Sequence, residues 1–373
     1  MNETKKIAYY ISDYGFGHAS RSIAIIRKLL LQDKDIQIII CHSFAMDFLQ
    51  SSLRLIQDNR VEFRHVETDI GFFLKENSIE PDSSKLNMEF DEFMMSWPTK
   101  VEEETIFLYK ENISLVISDI SPLAFEAANR LCIPSLGISN FTWYTAYKGL
   151  IEQGKLHMYK EAYEKMTYFF SLAGGQEEKW GNSRACEFYF FSRTIDRDEV
   201  NRIIKRLDPH RDKFIIFFGL GMKINGVDLK KHPIWNNSNC VFIVSSNMDI
   251  EKENVYKIPL DYTDSQNFIA AAGLAITKAG WGTVSEAVVE NTSLLLINRP
   301  NMTEDQHTIR YLKERNLCQT MDWEQFNSFT ITDGYMEEVS RQKYSKPNFQ
   351  FENEVEKIAS KIIKILEEAN IDE

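Results

Sequence analysis

Lys278-Ala279-Gly280-Trp281-Gly282-Thr283-Val284-Ser285-Glu286 is the stretch on which the reading of this chain turns. The apolar run Leu274-Ala275-Ile276-Thr277 before it reads as a buried parallel strand. Gly280 and Gly282 are expected to let the backbone turn tightly and approach a ligand closely. A helix is predicted from about Thr283. Its first turn carries the hydroxyls of Thr283 and Ser285 and the free N–H groups that favour an anion. Lys278 adds positive charge, and Glu286 lies one turn in, where a carboxylate can hold a sugar hydroxyl. Such a site suits a diphosphate. The same strand–glycine–helix pattern also arises wherever a parallel sheet is wound, and that is the plainer alternative for this stretch.

With 373 residues, two domains are the default expectation. A hydrophobic content of 43% is that of an ordinary globular protein. The net charge of −12 argues against a nucleic-acid partner. Cys41, Cys132, Cys186, Cys240 and Cys318 are scattered and odd in number, with no metal-ligand spacing, which fits a reducing cytoplasm. No metal site is expected. The first residues lead into a strand without a signal-peptide apolar core, and nothing approaches the roughly 18 apolar residues of a membrane span. The expected location is cytoplasmic, with peripheral contact at the inner face of the membrane left open.

Outward from the glycine stretch, the chain alternates. Ile7 to Ser12 reads as a strand, Asp13 to His18 as a loop, and Ala19 to Leu31 as a helix with Ile23, Ile26, Leu29 and Leu30 on one side. Ile36 to Cys41 is a strand buried on both faces, Phe44 to Leu55 a helix, and Val61 to Val66 a third strand. Asp69 to Lys100 is less regular. It holds Phe72, Phe73, Met88, Phe90, Phe93, Met94, Met95 and Trp97 among many acids. It is expected as helix and loop on the sheet edge, or as a lid or acceptor surface that touches lipid. Leu115 to Ser118 is a strand ending at Asp119, followed by a helix over 122–131 and a strand over 134–138. Asn140-Phe141-Thr142-Trp143-Tyr144 is expected as an aromatic loop where a substrate can lie.

Residues 186–193 read as the last strand of the first half, and Asp196 to Leu207 as a helix. Asp196-Arg197-Asp198 spells Asp-x-Asp, which elsewhere can bind a cation; here it is expected as a solvated cap. The alternation restarts with Phe214 to Phe218, which ends in Gly219-Leu220-Gly221-Met222-Lys223. Strands follow at 241–245, 274–277 and 294–298. The α/β pattern predicts two Rossmann-like doubly wound domains, 1–193 and 194–350. The tail, 351–373, places Val355, Ile358, Ile362, Ile363 and Leu366 at helical spacing and is expected to cross back onto the first domain.

Gly15-Phe16-Gly17-His18 lies at the carboxyl end of the first strand, where open α/β sheets bind ligands. A dinucleotide turn fits poorly, because position 20 is Ser where a third glycine belongs. The second strand ends in Cys41-His42, with no acid to hold a ribose. A neutral imidazole at His18 is suited to take a proton near neutral pH. Asp119 falls on the same rim and can orient that ring. The plainer alternatives are that His18 caps the loop or binds phosphate and that Asp119 caps the following helix. Arg21 can steady an anion or face solvent.

These residues together resemble the nucleotide-sugar-dependent GT-B glycosyltransferases, whose two Rossmann-like domains face each other across a cleft. The likeness covers most of the chain. It extends to the glycosyltransferase-like N-terminal domain of plant L-arabinokinases, which shares Gly-Phe-Gly-His, a Ser-Asp strand end, an Asn-Phe-(Ser/Thr)-Trp stretch like 140–143 and a Gly-x-Gly-Thr-Val-Ser-Glu stretch like 280–286. No kinase domain is expected after it here. The resemblance implies His18 as base and Asp119 as its partner. It implies donor contacts from Gly17, Gly219, Gly221, Lys278, Gly280, Trp281, Gly282, Thr283, Glu286, Asp305 and Gln306, with Glu304-Asp305-Gln306 resembling the acid–glutamine pair that binds sugar hydroxyls. Asn140 and Trp143 are the implied acceptor contacts. Two departures stand out: Lys278 replaces a histidine, and Asn291-Thr292-Ser293 replaces a Gly-x-Pro.

What the resemblance implies is an enzyme of hexosyltransferase type with no cofactor. It would move a sugar from a UDP-sugar to a hydroxyl of a small-molecule, glycan or lipid-linked acceptor, with inversion and without a required metal. The rival readings are a nucleotide-sugar hydrolase, a non-catalytic nucleotide-sugar sensor and, last, an NAD-dependent dehydrogenase.

Overall fold

Continuous apolar runs become inner strands, and the periodic segments between them become helices. The structure is a computed structural model; it describes residues 5–54, 56, 59–76, 78–181, 186–221, 229–345 and 353–369. The chain divides into two units. One comprises Met1–Phe73, Pro81–Tyr189 and Glu354–Glu373; the other comprises Leu74–Glu80 and Phe190–Asn353.

In the first unit the strands are β1 (Lys5–Ile11), β2 (Ile36–His42), β3 (Val61–His65), β4 (Leu115–Asp119), β5 (Ser135–Ser139), β6 (Tyr168–Leu172) and β7 (Cys186–Phe188). All pair in parallel, in the order β3-β2-β1-β4-β5-β6-β7. Strand order reverses between β1 and β4, and there Ile11 is the partner of Asp119. The topology therefore sets the loop after β1 beside the end of β4, at a switch point where such sheets bind ligands.

The first unit's helices are α1 (Phe16–Gln32), α2 (Met46–Leu53), α3 (Ser83–Lys110), α4 (Pro122–Arg130), α5 (Trp143–Tyr147) and α6 (His157–Glu164). Helix α1 begins at Phe16, so Gly17 and His18 lie in its first turn and not in a loop. Gly15 precedes it at φ 75, a left-handed conformation that glycine adopts without a Cβ penalty. The segment expected as helix and loop over 69–100 enters at Ser83 the 28-residue α3, capped by the Asp82 side chain on Lys85 N–H. Its buried face, Leu86, Phe90, Phe93, Trp97, Val101, Glu104 and Leu108, lies on the sheet and not at its edge: Tyr10 of the central strand donates to Glu104 at 2.6 Å. Arg64 completes the neutralisation of that buried carboxylate with two bonds of 2.7 and 2.8 Å.

The second unit repeats the plan with α7 (Arg197–Leu207), β8 (Phe214–Gly219), β9 (Cys240–Val244), β10 (Val255–Lys257), α8 (Gln266–Ala271), β11 (Leu274–Lys278), α9 (Trp281–Val289), β12 (Ser293–Asn298), α10 (Thr303–Glu314) and β13 (Gln319–Asp322). Its sheet runs β10-β9-β8-β11-β12-β13, all parallel, so its switch point lies between β8 and β11. Asp196 caps α7 by accepting from Asp198 and Glu199 N–H groups, the capping role expected for the Asp-x-Asp. Short helices α11 (Trp323–Asn327) and α12 (Asp333–Ser345) follow. The last helix, α13 (Val355–Ala369), belongs to the first unit and packs on α1, burying Ile358, Ile362 and Leu366; Lys28 pairs with Glu356.

Candidate functional site

Each switch point carries its own cluster of polar side chains. In the first unit, α1 presents His18 and Arg21, three residues apart and therefore on one helix face. β4 delivers Asp119 between them. His18 Nδ1 lies 2.9 Å from Asp119 Oδ1. Arg21, expected to face an anion or solvent, is instead buried: its Nε donates to Asp119 Oδ2 at 2.5 Å, and its Nη2 donates to Asp119 Oδ1. Nη1 donates to Asn140 Oδ1 at 2.8 Å and Nη2 to Ser139 Oγ at 2.9 Å. Ser22 adds a 3.4 Å contact to Asp119 Oδ2. Burial alone would raise the Asp119 carboxyl, but Arg21 and His18 outweigh it and hold the group below 3.8. Burial lowers His18 from 6.5; Asp119 opposes this shift and the Arg21 charge adds to it.

The wall around His18 is aromatic. Phe141 stands edge-on at 5.7 Å between ring centroids, and Trp143 lies at 6.4 Å. The stretch 140–144 is not the open loop expected of it: Thr142 caps α5, and Trp143 starts that helix fully buried. Its indole N–H donates to Asp69 Oδ2 at 3.1 Å, and Asn140 is bound to Arg21. Trp143 and Asn140 thus form a second layer beneath the rim. Asp69, which the sequence did not single out, also accepts from Ser12 Oγ at 3.1 Å. Burial and the nearby Asp13 charge push its carboxyl up to about 8. Asp13 accepts from the N–H groups of Ser43, Phe44 and Thr68 and so ties the loop after β1 to its neighbours.

In the second unit, Thr277 on β11 is the partner of Gly219 on β8, and its hydroxyl donates to Gly219 O at 2.6 Å. The loops after both strands therefore lie side by side. Gly221 takes φ 86, and a Cβ there would meet Lys278 Cε at 2.9 Å, so the lysine stem lies against that glycine. Met222 and Lys223 lie outside the described residues. Gly280 and Gly282 do not take the tight turn expected of them. Gly280 has φ −65 as the residue before α9, and Gly282 is helical, because α9 starts at Trp281. Thr283 is half-buried in the first turn. Trp281 is buried against Phe190 and Phe191 at 5.8 and 5.0 Å. The Ser285 hydroxyl, expected to meet an anion, is bound to the Phe191 backbone.

Glu286 is buried, with Oε1 accepting from Arg193 Nε at 2.9 Å and Nη2 at 2.8 Å. Arg193 also reaches Thr263 O and Ser265 Oγ. Burial raises the Glu286 carboxyl, and Arg193 opposes the rise. At the start of α10, Asp305 is clamped by Arg299, with Nε to Oδ2 at 2.6 Å and Nη2 to Oδ1 at 2.7 Å. Gln306 donates to Asn298 Oδ1 and Arg299 O. Both members of the expected acid–glutamine pair are thus engaged within the fold. Glu304 differs: its Oε2 is buried without a hydrogen-bond partner. Burial and the Asp305 charge push its carboxyl up to about 7, against Arg299 and Lys278.

No protein-family model matches the chain. A plant L-arabinokinase from Arabidopsis thaliana is 25% identical over 316 residues, covering 80% of this chain and 28% of that protein. The chain therefore spans less than a third of that relative. Arabidopsis thaliana UGT89C1 complexed with UDP superposes with TM-score 0.64 at 11% identity, over 98% of this chain and 99% of that one. The superposition runs along nearly the full length of both chains. The fold is GT-B. Medicago truncatula UGT71G1 complexed with UDP-glucose gives TM-score 0.61 at 12% identity, over 97% and 98% of the two chains. A putative UDP-N-acetylglucosamine 2-epimerase from Listeria monocytogenes gives 0.58 at 12%, over 96% and 91%. At such identities the likeness speaks for the GT-B architecture and leaves the chemistry to the side chains.

Among the described residues no helix is long and apolar enough to cross a membrane.

Proposed function

We propose that this chain is a nucleotide-sugar glycosyltransferase, with a UDP-sugar as donor and a hydroxyl of a small-molecule, glycan or lipid-linked acceptor as nucleophile. The observation that carries the reading is the buried His18–Asp119 contact of 2.9 Å at a switch point, with the ring's other nitrogen left for a substrate. His18 accepts the acceptor's proton as its oxygen attacks the anomeric carbon, and Asp119 holds the ring. General-base help of this kind contributes about 10²–10⁴-fold. In the second unit Lys278, Thr283 and the N–H groups at the start of α9 receive the departing diphosphate. Glu286 keeps the ribose role, with Arg193 fixing its carboxylate. Glu304, not Asp305, is the acid that meets the donor sugar. A single displacement inverts the anomeric centre, and the positive charge at 278–283 stabilises the departing diphosphate.

UDP and UDP-sugars are expected to raise the melting temperature, because a ligand bound only by the native state stabilises it. UDP release that depends on an added acceptor supports transfer. Release at full rate into water alone would make the chain a nucleotide-sugar hydrolase, and stabilisation with no turnover at all would make it a sensor.

A further inference from the structure

We propose that Arg21 is a positioning residue of the His18–Asp119 pair: it takes both carboxylate oxygens and fixes which ring nitrogen of His18 carries the hydrogen. This inference rests on the transferase reading only for its kinetic consequence. The hydrogens around Nδ1 decide the tautomer. His18 Nδ1 lies 3.1 Å from Arg21 Nη2 and 2.9 Å from Asp119 Oδ1. A guanidinium nitrogen can only donate. Its two hydrogens on Nη2 already have acceptors, Asp119 Oδ1 and Ser139 Oγ. A hydrogen of Nη2 reaches His18 only by being shared with Asp119 Oδ1 or Ser139 Oγ. The short contact to Asp119, which only accepts, then requires the hydrogen on Nδ1. Nε2 keeps its lone pair, the form a base needs.

Charge follows from the same geometry. With His18 neutral, Arg21 and Asp119 cancel; with the ring protonated, a buried cluster becomes net cationic. In a His–Asp pair without the arginine, the protonated ring would itself be the counter-ion. The other groups facing this cluster do not restore the balance. Tyr9 on β1 stays protonated because burial raises its hydroxyl. His42, at the end of β2, accepts the Ala45 N–H at Nε2, so its own hydrogen is on Nδ1, toward Ile11 O and Asp13. Asp13 is engaged by Ser43, Phe44 and Thr68, and Asp69 faces Ser12 and Trp143.

Nitrogen-detected NMR of ¹⁵N-histidine-labelled full-length protein tests this without donor or acceptor. Expected is a neutral His18 with Nδ1–H and bare Nε2, protonating only below the ordinary 6.5. The Nε2–H form, or protonation at or above 6.5, overturns the proposal. In Arg21→Met the midpoint should rise by about one pH unit or more, and Arg21→Lys should return it part-way. A folded Arg21→Met with an unchanged tautomer and midpoint also overturns it. If that variant does not fold, the wild-type titration decides. Where activity is found, the acid limb of kcat/KM should move with the NMR midpoint. Absence of UDP release would count against the transferase reading and leave the ring measurement standing.

Discussion

The two switch points of this chain are built on the same sheet topology and finished in opposite ways. At the first, the functional groups are locked: Asp119 has His18, Arg21 and Ser22 on its two oxygens, and the arginine continues to Asn140 and Ser139. At the second, locked and available groups alternate along the rim. Glu286 and Asp305 each have an arginine, whereas Glu304 keeps a buried oxygen without a hydrogen-bond partner and Thr283 is half-buried. The difference matches two kinds of work. A proton acceptor must be held in one orientation and one tautomer before the substrate arrives. A diphosphate-sugar site must instead leave polar atoms for the ligand to satisfy.

His18→Ala should lower kcat by about 10²–10⁴-fold and leave UDP affinity unchanged, measured by UDP release and by calorimetry. Equal losses in both would assign His18 to donor binding. Arg299→Met comes next. It leaves the Asp305 carboxylate buried and uncompensated, so a loss of about 3–5 kcal/mol in urea unfolding is expected. A mere change in donor KM with full stability would restore Asp305 as a ligand contact.

Asp69 gives the first switch point a pH dependence. Its carboxyl is at about 8 when folded and at the ordinary 3.8 when unfolded. The folded chain therefore holds a proton that the unfolded chain releases. This contribution is complete below the unfolded value and is lost as pH rises to about 8. Between pH 6 and pH 9, wild type should lose about 2–3 kcal/mol through this group. Asp69→Asn should flatten that limb; an unchanged slope in the variant would remove Asp69 from the account. The smallest effect belongs to Glu304→Gln: about tenfold weaker binding of the sugar nucleotide, about 1.4 kcal/mol, with UDP itself bound as before. Equal weakening of both would place Glu304 on the phosphates.

Much of this was legible in the residues. Alternating apolar runs and periodic segments were enough for two doubly wound sheets, because strands buried on both faces must read that way. The placement of His18 and Asp119 on one rim followed from their positions after the first strand and at the end of Leu115–Asp119. The helix in 69–100 was expected, but its length and its place on the sheet were not legible, for two physical reasons: Pro98 interrupts the segment, and the buried Glu104 stands in its apolar stripe, neutralised by Tyr10 and Arg64 from distant strands. The partners of the acids were missed for a similar reason. Arg21 had a local signal, three residues from His18 on one helix face. Arg193 had none, since its meeting with Glu286 spans 93 residues. A motif shows where an acid stands, but not whether the fold has already claimed it.

The division of labour between the rims is tested most directly by calorimetric titration of UDP into wild type, His18→Ala and Lys278→Ala. Tight binding to the first two and binding at least about tenfold weaker in the third is the predicted result. No binding to wild type at millimolar UDP, or equal loss in both variants, would contradict it.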